Sequence, residues 1–556
     1  MRRSMKKILS VTLAGAMAFS LGACGGGGGG TADTTGTTVA TSEGVTSPGG
    51  DAAAETPAAG KYADYSGGFA DQVTIQIPVY DRAFEGWNVT DNYYTKWIQQ
   101  EFGDKYNIKV EFIAITRNSQ VNDYMQMLAS GKAPDIIFHY DMPQMLAYYA
   151  EGAMQDLDLE EIANYAPTYW ANMGDSISKY GTVDGGNYFV FADRPEAYNY
   201  ITIIRKDWLD AVNMGMPTCL EELNEVFAAW KAAGLGHGGE TLKQNAFIYD
   251  YPFRDFNMSK EEHALYSDLS VAALNWEPTH QYLKNLNYQY NNGLINTEFY
   301  LTTDEAAAQA DFVAGKSGFF TFYISNNTPM IDSLLVNEPE AELAYVPIAA
   351  TAPKGYMPQT RAFWPFGLIM GINHSTTDEE RAALWMYLEW MSDSDNLFYI
   401  QNGVEGQNYT LDETGLAVKN ADFKGDSKLS NNNNKDYWCL VTETAQYGDA
   451  ELDKRANSNN WSPVGYEYLV EDSYKDYTAI SEYRVPDALF SVVISSVGEY
   501  KAELNEKWKE LYVKCAMAPE DQFEATYEAA CKEYLEAGYQ AILDEKQAAI
   551  DAGNYQ

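Results

Sequence analysis

The chain has 556 residues, which is too long for one hydrophobic core and predicts two or three domains. Hydrophobic residues make up 46% of it and aromatic residues 14%, so most of the chain is expected to fold. The formal net charge of -41 argues against nucleic-acid binding, which depends on Lys and Arg neutralising phosphates. It also argues against charge-driven docking on an anionic membrane surface, and by itself it identifies no ligand.

The first residues have the pattern of an export signal. A basic stretch at residues 2–7 precedes an apolar stretch at residues 8–21, which is too short for a transmembrane helix. The sequence Leu-Gly-Ala-Cys at residues 21–24 resembles a bacterial lipobox, in which the peptide is cut before Cys and the thiol is lipidated. We therefore expect residues 1–23 to be a lipoprotein signal peptide and Cys24 to carry the lipid.

A flexible tether is predicted over residues 24–65. It opens with the glycine run 25–30 and continues with Thr, Ser, Ala and Pro, a composition that cannot bury a core. No later stretch is apolar enough to span a bilayer, so the sequence predicts a globular body anchored by its lipid.

The folded body is predicted to begin near Asp71 as alternating strands and helices. Residues 73–79 and 108–112 alternate apolar and polar, as strands do, and residues 94–102 have a helical apolar face. Residues 136–138 form a short apolar run typical of a buried strand. The order β-α-β-α-β predicts an open α/β sheet, in which ligands bind beside the carboxyl ends of the strands.

A helix, a tight turn and a strand are predicted over residues 121–138. An apolar stripe recurs at helical spacing, and Gly131 and Pro134 are typical of a helix end. The strand that follows would deliver Tyr140 to the ligand-binding edge of the sheet. The stripe consists of Val121, Tyr124, Met125 and Leu128.

Later segments carry further helix signals. Thr218 with Glu221, and Thr377 with Glu380, have the spacing of capping boxes. The first box would place Cys219 in a helical first turn, where the helix dipole lowers a thiol pKa, but a nucleophilic role would also need a neighbouring His. From residue 493 onward the pattern is largely helical.

Four sequence segments resemble, in shared order, the family 1 extracellular solute-binding proteins, the group that includes the maltose-binding protein. They are the helix-Gly-Lys-x-Pro-Asp-Ile segment at 121–137, the Arg-Lys-Asp-Trp-Leu run at 205–209 with Pro-Thr and Glu-Glu-Leu at 217–223, the Phe-x-x-Gly-Lys turn at 312–316, and the Gly-x-Glu-Gly-x-x-Tyr segment at 403–409. The last resembles the lipoprotein-type branch of Gram-positive bacteria. Around Lys514 the C-terminal arm departs from the usual ending of that branch.

The resemblance implies an α/β, two-lobe periplasmic-binding-protein-like fold (type II), each lobe a sheet flanked by helices, with a helical C-terminal arm. Lobe one would comprise residues 66–193 and 302–350. Lobe two would comprise residues 194–301 and 351–490, and the arm residues 491–556.

The resemblance also implies a function. A ligand that touches both lobes would favour a closed form, which a membrane permease of an ABC importer recognises. A carbohydrate, and an oligosaccharide in particular, is the expected ligand, because aromatic rings pack on sugar C–H faces and polar side chains bond hydroxyls. The residues predicted to contact it are Asp81, Trp87, Tyr140, Arg194, Tyr323, Asn326, Arg361, Trp364 and Glu405.

Other functions stay open on the sequence. A secreted glycoside hydrolase could use paired carboxylates, and a binding protein for peptides or other small solutes, or a surface adhesin, would share many features. The chain has no His-Glu-x-x-His, Gly-x-Ser-x-Gly or Cys-x-x-Cys sequence, and its five His are scattered. We therefore expect no catalytic residues, no metal and no cofactor.

The expected setting follows from these predictions. The protein would be a monomer on the outer face of a bacterial, Gram-positive cytoplasmic membrane. We expect free thiols, although a turn near Pro519 could bring Cys515 and Cys531 together. The other two thiols of the folded body are Cys219 and Cys439.

Overall fold

The computed structural model describes residues 61–555 except 82–85, 195–199, 243–250, 256–257, 268–270, 303–304, 324–327, 357, 363, 430–432, 462–464 and 487. The predicted signal peptide, Cys24 and most of the predicted tether lie outside the described residues. Within the described part, no helix is long and apolar enough to cross a membrane.

The strands of the described residues are, in chain order, β1 Val73–Asp81, β2 Ile108–Thr116, β3 Ile136–His139, β4 Thr182–Val183, β5 Gly186–Asn187, β6 Val190–Asp193, β7 Tyr200–Arg205, β8 Tyr251–Asp255, β9 Phe319–Tyr323, β10 Leu343–Tyr345, β11 Pro358–Ala362, β12 Phe366–Ile372, β13 Tyr409–Leu411, β14 Ala417–Lys419 and β15 Arg484–Pro486.

The α-helices are α1 Tyr93–Ile98, α2 Asp104–Tyr106, α3 Gln120–Ala129, α4 Met142–Ala150, α5 Leu159–Tyr165, α6 Pro167–Tyr180, α7 Lys206–Ala211, α8 Leu220–Ala233, α9 Lys260–Tyr266, α10 Glu277–Asn291, α11 Glu305–Val313, α12 Thr328–Asn337, α13 Asp378–Met391, α14 Ser394–Asn402, α15 Lys435–Trp438, α16 Ala450–Trp461, α17 Glu467–Ala479, α18 Ser495–Ala516, α19 Phe523–Tyr534 and α20 Gln540–Asp551.

Two groups of paired strands, β1-β2 and β3-β12-β6, lie side by side, and we refer to them together as the first sheet. β1 and β2 pair in parallel, and the apolar residues of β1 that alternate from Val73 to Val79 are buried, which confirms the predicted strand. β12 lies between β3 and β6 and is antiparallel to both. β3 is held beside β1 because Asp135 N donates to Gln76 O at 3.2 Å and Gln76 N donates to Asp135 Oδ2 at 2.7 Å.

The predicted helix and turn before β3 are confirmed, but the predicted apolar stripe is wrong at two positions. α3 is followed by Gly131 with φ of +63°. Tyr124 is fully buried against Phe138 and Tyr148, whereas Val121 and Met125 are 36% and 38% exposed. The helix packs mainly through Tyr124, with Met127 and Leu128 partly buried on the same core, which leaves Val121 and Met125 facing solvent.

A second sheet has the order β10-β7-β9, with both pairings antiparallel. One group of buried side chains packs β7 and β9 against α11 and α12, and another packs them against α7 and α8. A smaller sheet, β15-β11-β8, joins residues 251–255 to 358–362 and 484–486.

Two segments pack with the sheet opposite to the one expected from the sequence. Residues 302–350 were expected in lobe one, yet β9 and β10 pair with β7. Residues 351–490 were expected in lobe two, yet β12 pairs with β3 and β6, and α13 packs on the core of the first sheet. Local apolar patterns identify strands, but they do not state which strand a distant segment will pair with.

The C-terminal helices α18, α19 and α20 confirm the predicted helical arm. They share a core with α10 that includes Leu283, Leu286, Trp508, Tyr512 and Ile542. Asn287 Nδ2 donates to the backbone oxygens of residues 515, 516 and 518, which fixes the turn between α18 and α19 onto α10.

The expected end of the tether at residue 65 was placed too late. Tyr62 donates from its hydroxyl to Asp158 at 2.8 Å, and Tyr65 stacks on Phe69 with ring centroids 4.1 Å apart. Residues 61–65 therefore pack on the folded body, because their tyrosines find apolar and polar partners there.

One of the two predicted capping boxes is confirmed. Thr377 and Glu380 bond reciprocally at the start of α13. Thr218 instead bonds Glu222, at 2.7 Å from its hydroxyl. The helix begins one residue later than predicted, which puts Cys219 at the N-cap position, where it is buried.

Candidate functional site

Three side chains meet where β1, β2 and β3 end. Tyr80 is near the end of β1, Arg117 follows β2, and Tyr140 follows β3. The Arg117 guanidinium lies 4.7 Å from the centroid of the Tyr80 ring and 5.9 Å from that of Tyr140, and the two rings stack 6.5 Å apart. We call these three residues the edge group. Their stacking gives cation–π stabilisation and holds Arg117 beside the strand ends.

Tyr140 is half-buried and its hydroxyl points at the Cys439 sulfur, 3.9 Å away. Burial raises the pKa of the Tyr140 phenol well above its usual value, so it stays a neutral hydrogen-bond group. The same burial raises the pKa of the Cys439 thiol. Neither group is poised to act as a nucleophile.

A buried ion pair lies at the end of β6. Arg194 donates from Nε to Glu443 Oε2 at 2.9 Å and from Nη2 to Glu443 Oε1 at 3.4 Å. The two side chains are 16% and 8% exposed. Their backbones are also tied together, since Arg194 N donates to Pro365 O and Glu443 N donates to Asp193 O. The segments around Asp193, Pro365 and Glu443 therefore meet where the chain leaves the first sheet after β6.

The carboxylates at this passage differ in their titration. Burial raises the pKa of Asp193 to about 6, and the neighbouring charge of Glu443 adds to the shift. Burial would also raise the pKa of Glu443, but the charges of Arg194 and Lys435, together with hydrogen bonds from Arg194 and Leu368 N, outweigh it and leave that pKa lowered. Gly367 is required here because a Cβ would collide with the Glu443 carboxylate.

Trp364 precedes Pro365, whose backbone oxygen accepts a hydrogen bond from Arg194 N. Its ring stacks on Phe366, with centroids 6.1 Å apart, and meets the edge of Tyr180 at 4.7 Å. The side chain is half-buried, and its indole Nε1 has no acceptor among the described residues. We call Asp193, Arg194, Trp364 and Glu443 the crossing group. The Glu443 charge also acts on Tyr140, so the edge and crossing groups are electrostatic neighbours.

The remaining predicted residues of the first sheet lie further out. Asp81 is exposed as the last residue of β1. Trp87 is half-buried against Tyr94, 6.4 Å between ring centroids. Glu405 is exposed in a turn that bridges to Tyr409. None of these three joins the edge or crossing group through a contact of the described residues.

For three predicted residues, the structure describes no side chain. Asn326 lies outside the described residues. Tyr323 ends β9, where its backbone pairs with Tyr200, so it belongs to the second sheet and not to the returning strand of lobe one that was expected. Arg361 lies on β11 beside Val485 of β15. Nothing is described of the side chains of Tyr323 and Arg361.

Sequence reasoning missed Arg117, Asp193 and Glu443. Arg117 and Asp193 each directly follow or end an apolar strand, the same signal that singled out Tyr140. Glu443 has no such signal, because its partner Arg194 is 249 positions away.

The arrangement can bind but has no evident nucleophile. The groups offer aromatic faces, a guanidinium and carboxylate acceptors, the set that hydroxyl-rich ligands with C–H faces require. His139, the titratable group next to Tyr140, is buried, and burial lowers its pKa to about 4. Within the described ranges, no group of three or more His, Cys, Asp or Glu could hold a metal ion.

Comparison with known proteins places this site in context. The model of the family "Bacterial extracellular solute-binding protein" matches residues 97–401. The polygalacturonan/rhamnogalacturonan-binding protein YtcQ of Bacillus subtilis (strain 168) is 23% identical over 419 residues, which are 69% of this chain and 78% of that protein. Lipoprotein LipO of the same strain is 24% identical over 55% of this chain and 63% of its own length.

The fold has solved counterparts. The alginate-binding protein AlgQ2, in a structure without calcium ion, superposes with a TM-score of 0.58 at 17% identity, covering 88% of this chain and all of that one. An extracellular solute-binding protein from Bifidobacterium longum subsp. infantis gives the same TM-score at 17% identity, covering 87% and 99%. Fold and family agree with the resemblance seen in the sequence: the chain belongs to the bacterial extracellular solute-binding proteins and has their two-lobe α/β fold of type II.

Proposed function

We propose that this protein is a lipid-anchored extracellular receptor that captures an oligosaccharide and delivers it to an ABC importer. The observation that carries the proposal is the site itself. An aromatic side chain, a guanidinium and two carboxylates meet where the chain first leaves the first sheet, the place from which a ligand can contact both lobes of this fold.

The side chains of the site and the similarity to YtcQ both support a carbohydrate ligand. Trp364 offers a partly exposed ring, and Asp193 offers a carboxylate to which no described residue donates a hydrogen bond. YtcQ, which the chain resembles over most of its length, binds polysaccharides according to its name. A sugar would gain both an apolar platform and an acceptor here.

The lipid anchor rests on the lipobox at residues 21–24 and on the likeness to a protein named as a lipoprotein. Two anchoring signals make attachment stable, and a diacylglycerol on Cys24 supplies two acyl chains. Metabolic labelling with a radioactive fatty acid should mark the wild-type protein and leave Cys24→Ser unlabelled. Equal labelling of both would overturn the anchor.

Capture without turnover distinguishes this receptor from a glycoside hydrolase. A thermal-shift panel of oligosaccharides should contain at least one that raises Tm, and chromatography should recover that sugar intact. Shorter sugars in the recovered ligand would support the enzyme, and stabilisation by peptides alone would overturn the carbohydrate class.

The site can be tested with a matched pair of tryptophans. Trp364→Ala should weaken binding of the stabilising sugar. Trp97→Ala is the control, because Trp97 is half-buried in an aromatic cluster, 5.2 Å from Trp390 and 4.6 Å from Tyr399, and is not part of the edge or crossing group. Calorimetry that finds equal affinity in wild type and Trp364→Ala would remove Trp364 from the site.

A further inference from the structure

Arg117 has an unusual position for a cation in so acidic a chain. The sequence contains 79 Asp and Glu against 38 Lys and Arg, so carboxylates are abundant. Arg194, Arg205 and Arg381 each pair with a carboxylate and are mostly buried. Arg117 is half-buried on two tyrosine rings, yet no described residue accepts a hydrogen bond or an ion pair from its guanidinium.

The carboxylates of this region leave Arg117 available. Asp436 accepts from Tyr80 N at 3.0 Å, so one of its oxygens is engaged beneath the tyrosines. Asp141 lies 3.6 Å from His139 Nδ1, and its side chain is 60% exposed. The cation–π stack holds Arg117 in place without using its N–H groups. The guanidinium can therefore donate two parallel hydrogen bonds to a planar anion such as a carboxylate.

We propose that Arg117 forms an anion subsite that binds the carboxylate of an acidic sugar, so that the preferred ligand is an oligosaccharide containing uronic acid. The inference rests on the proposed function and narrows it to one chemical class. A guanidinium matches a carboxylate with two parallel hydrogen bonds. The half-buried Tyr140 ring is the aromatic face that the sugar unit can reach, because Tyr80 is only 2% exposed.

The test compares acidic sugars with their neutral counterparts. Calorimetry on the wild-type protein would use a panel of uronic-acid oligomers and the same oligomers after reduction of the carboxyl groups. We expect a uronic-acid oligomer to bind more tightly than its reduced form, with an affinity that falls as salt is added. A neutral sugar that binds more tightly than every uronic-acid oligomer would overturn the inference and leave the proposed function standing. Binding of no sugar at all would overturn the proposed function instead.

Variants assign the preference to the residue. Arg117→Gln should lower the affinity for the acidic oligomer by about 10- to 100-fold, the loss expected for charged hydrogen bonds. It should change the affinity for the reduced oligomer little. Arg117→Lys keeps the positive charge but cannot donate two parallel hydrogen bonds. Its affinity for the acidic oligomer should therefore lie between those of the wild type and Arg117→Gln.

Arg484→Gln is the matched control. Arg484 begins β15 of the sheet β15-β11-β8 and stacks over the Tyr477 ring at 4.3 Å, so it is also a cation on a tyrosine but lies outside the edge group. This substitution should leave both affinities unchanged. Equal weakening of acidic and neutral oligomers by Arg117→Gln would mean that Arg117 only supports the tyrosines, and the subsite would be rejected.

Discussion

Arg194 and Glu443 are joined by two hydrogen bonds, of 2.9 and 3.4 Å, across 249 positions of sequence. The pair lies where the chain leaves the first sheet. Arg381 and Glu161 form a pair of nearly the same geometry and burial elsewhere on the same core, with bonds of 2.7 and 3.2 Å. Variants of the two pairs can therefore distinguish an effect on protein stability from an effect on ligand binding.

Glu443→Gln and Glu161→Gln should each lower the free energy of unfolding, by up to about 3 kcal/mol, because each removes a charged partner from a mostly buried arginine. The loss in Glu161→Gln should be the smaller one, since Arg381 also lies 3.1 Å from Asp378. Only Glu443→Gln should also weaken sugar binding. Urea denaturation gives the stabilities and calorimetry gives the affinities. Equal affinities in the two variants would show that the Arg194–Glu443 pair is structural and lies outside the site.

Gly367→Ala should mimic the loss of this ion pair. The new methyl group would collide with the Glu443 carboxylate and push it away from Arg194. We expect a lower Tm together with weaker sugar binding. Gly498→Ala serves as the control, because a Cβ at Gly498 meets no heavy atom. A Gly367→Ala protein with wild-type Tm would contradict the close approach.

The raised pKa of Asp193 predicts a pH dependence of stability. Its folded-state pKa of about 6 exceeds the unfolded value of 3.8, so the folded state binds the proton more tightly. The stability that this provides is present below about pH 4 and is lost as pH rises through 6. Asp193→Asn should therefore raise the free energy of unfolding by about 1 to 2 kcal/mol at pH 8 and by little at pH 4. A gain that is larger at pH 4 would contradict the assignment.

The strands and helices near the site could be predicted from sequence, but their partners could not. The alternation of β1 and the Gly131 turn before β3 are local patterns, and both are confirmed. The pairing of β12 with β3, and of β9 with β7, depends on contacts between distant segments. Local periodicity carries no information about such contacts.

The same limit applies to the site residues. Tyr140 is predicted as a ligand contact because it follows a buried strand, and Arg194 and Trp364 are predicted as parts of the second lobe and the crossings. Glu443 follows no strand and is recognised only through its partner. Arg117 was missed because the end of β2 extends to Thr116, beyond the apolar run expected at residues 108–112.

The four described cysteines are free. Burial raises the pKa of Cys515 to about 12 and raises that of Cys531 as well, which keeps both thiols protonated at neutral pH. In a chain with Cys24→Ser, a thiol reagent at pH 7.5 should react slowly with the native protein. It should then detect four thiols in denaturant without a reductant. Detection of only two would indicate a disulfide.

We propose that the chain binds a sugar without consuming it, at the place where Arg194 meets Glu443. The most direct measurement is calorimetric titration of the full chain with the oligosaccharide that most raises its Tm, followed by recovery of the ligand. We expect saturable binding of one intact sugar, weakened in Glu443→Gln and unchanged in Glu161→Gln. Absence of binding across the panel, or recovery of a cleaved sugar, would contradict it.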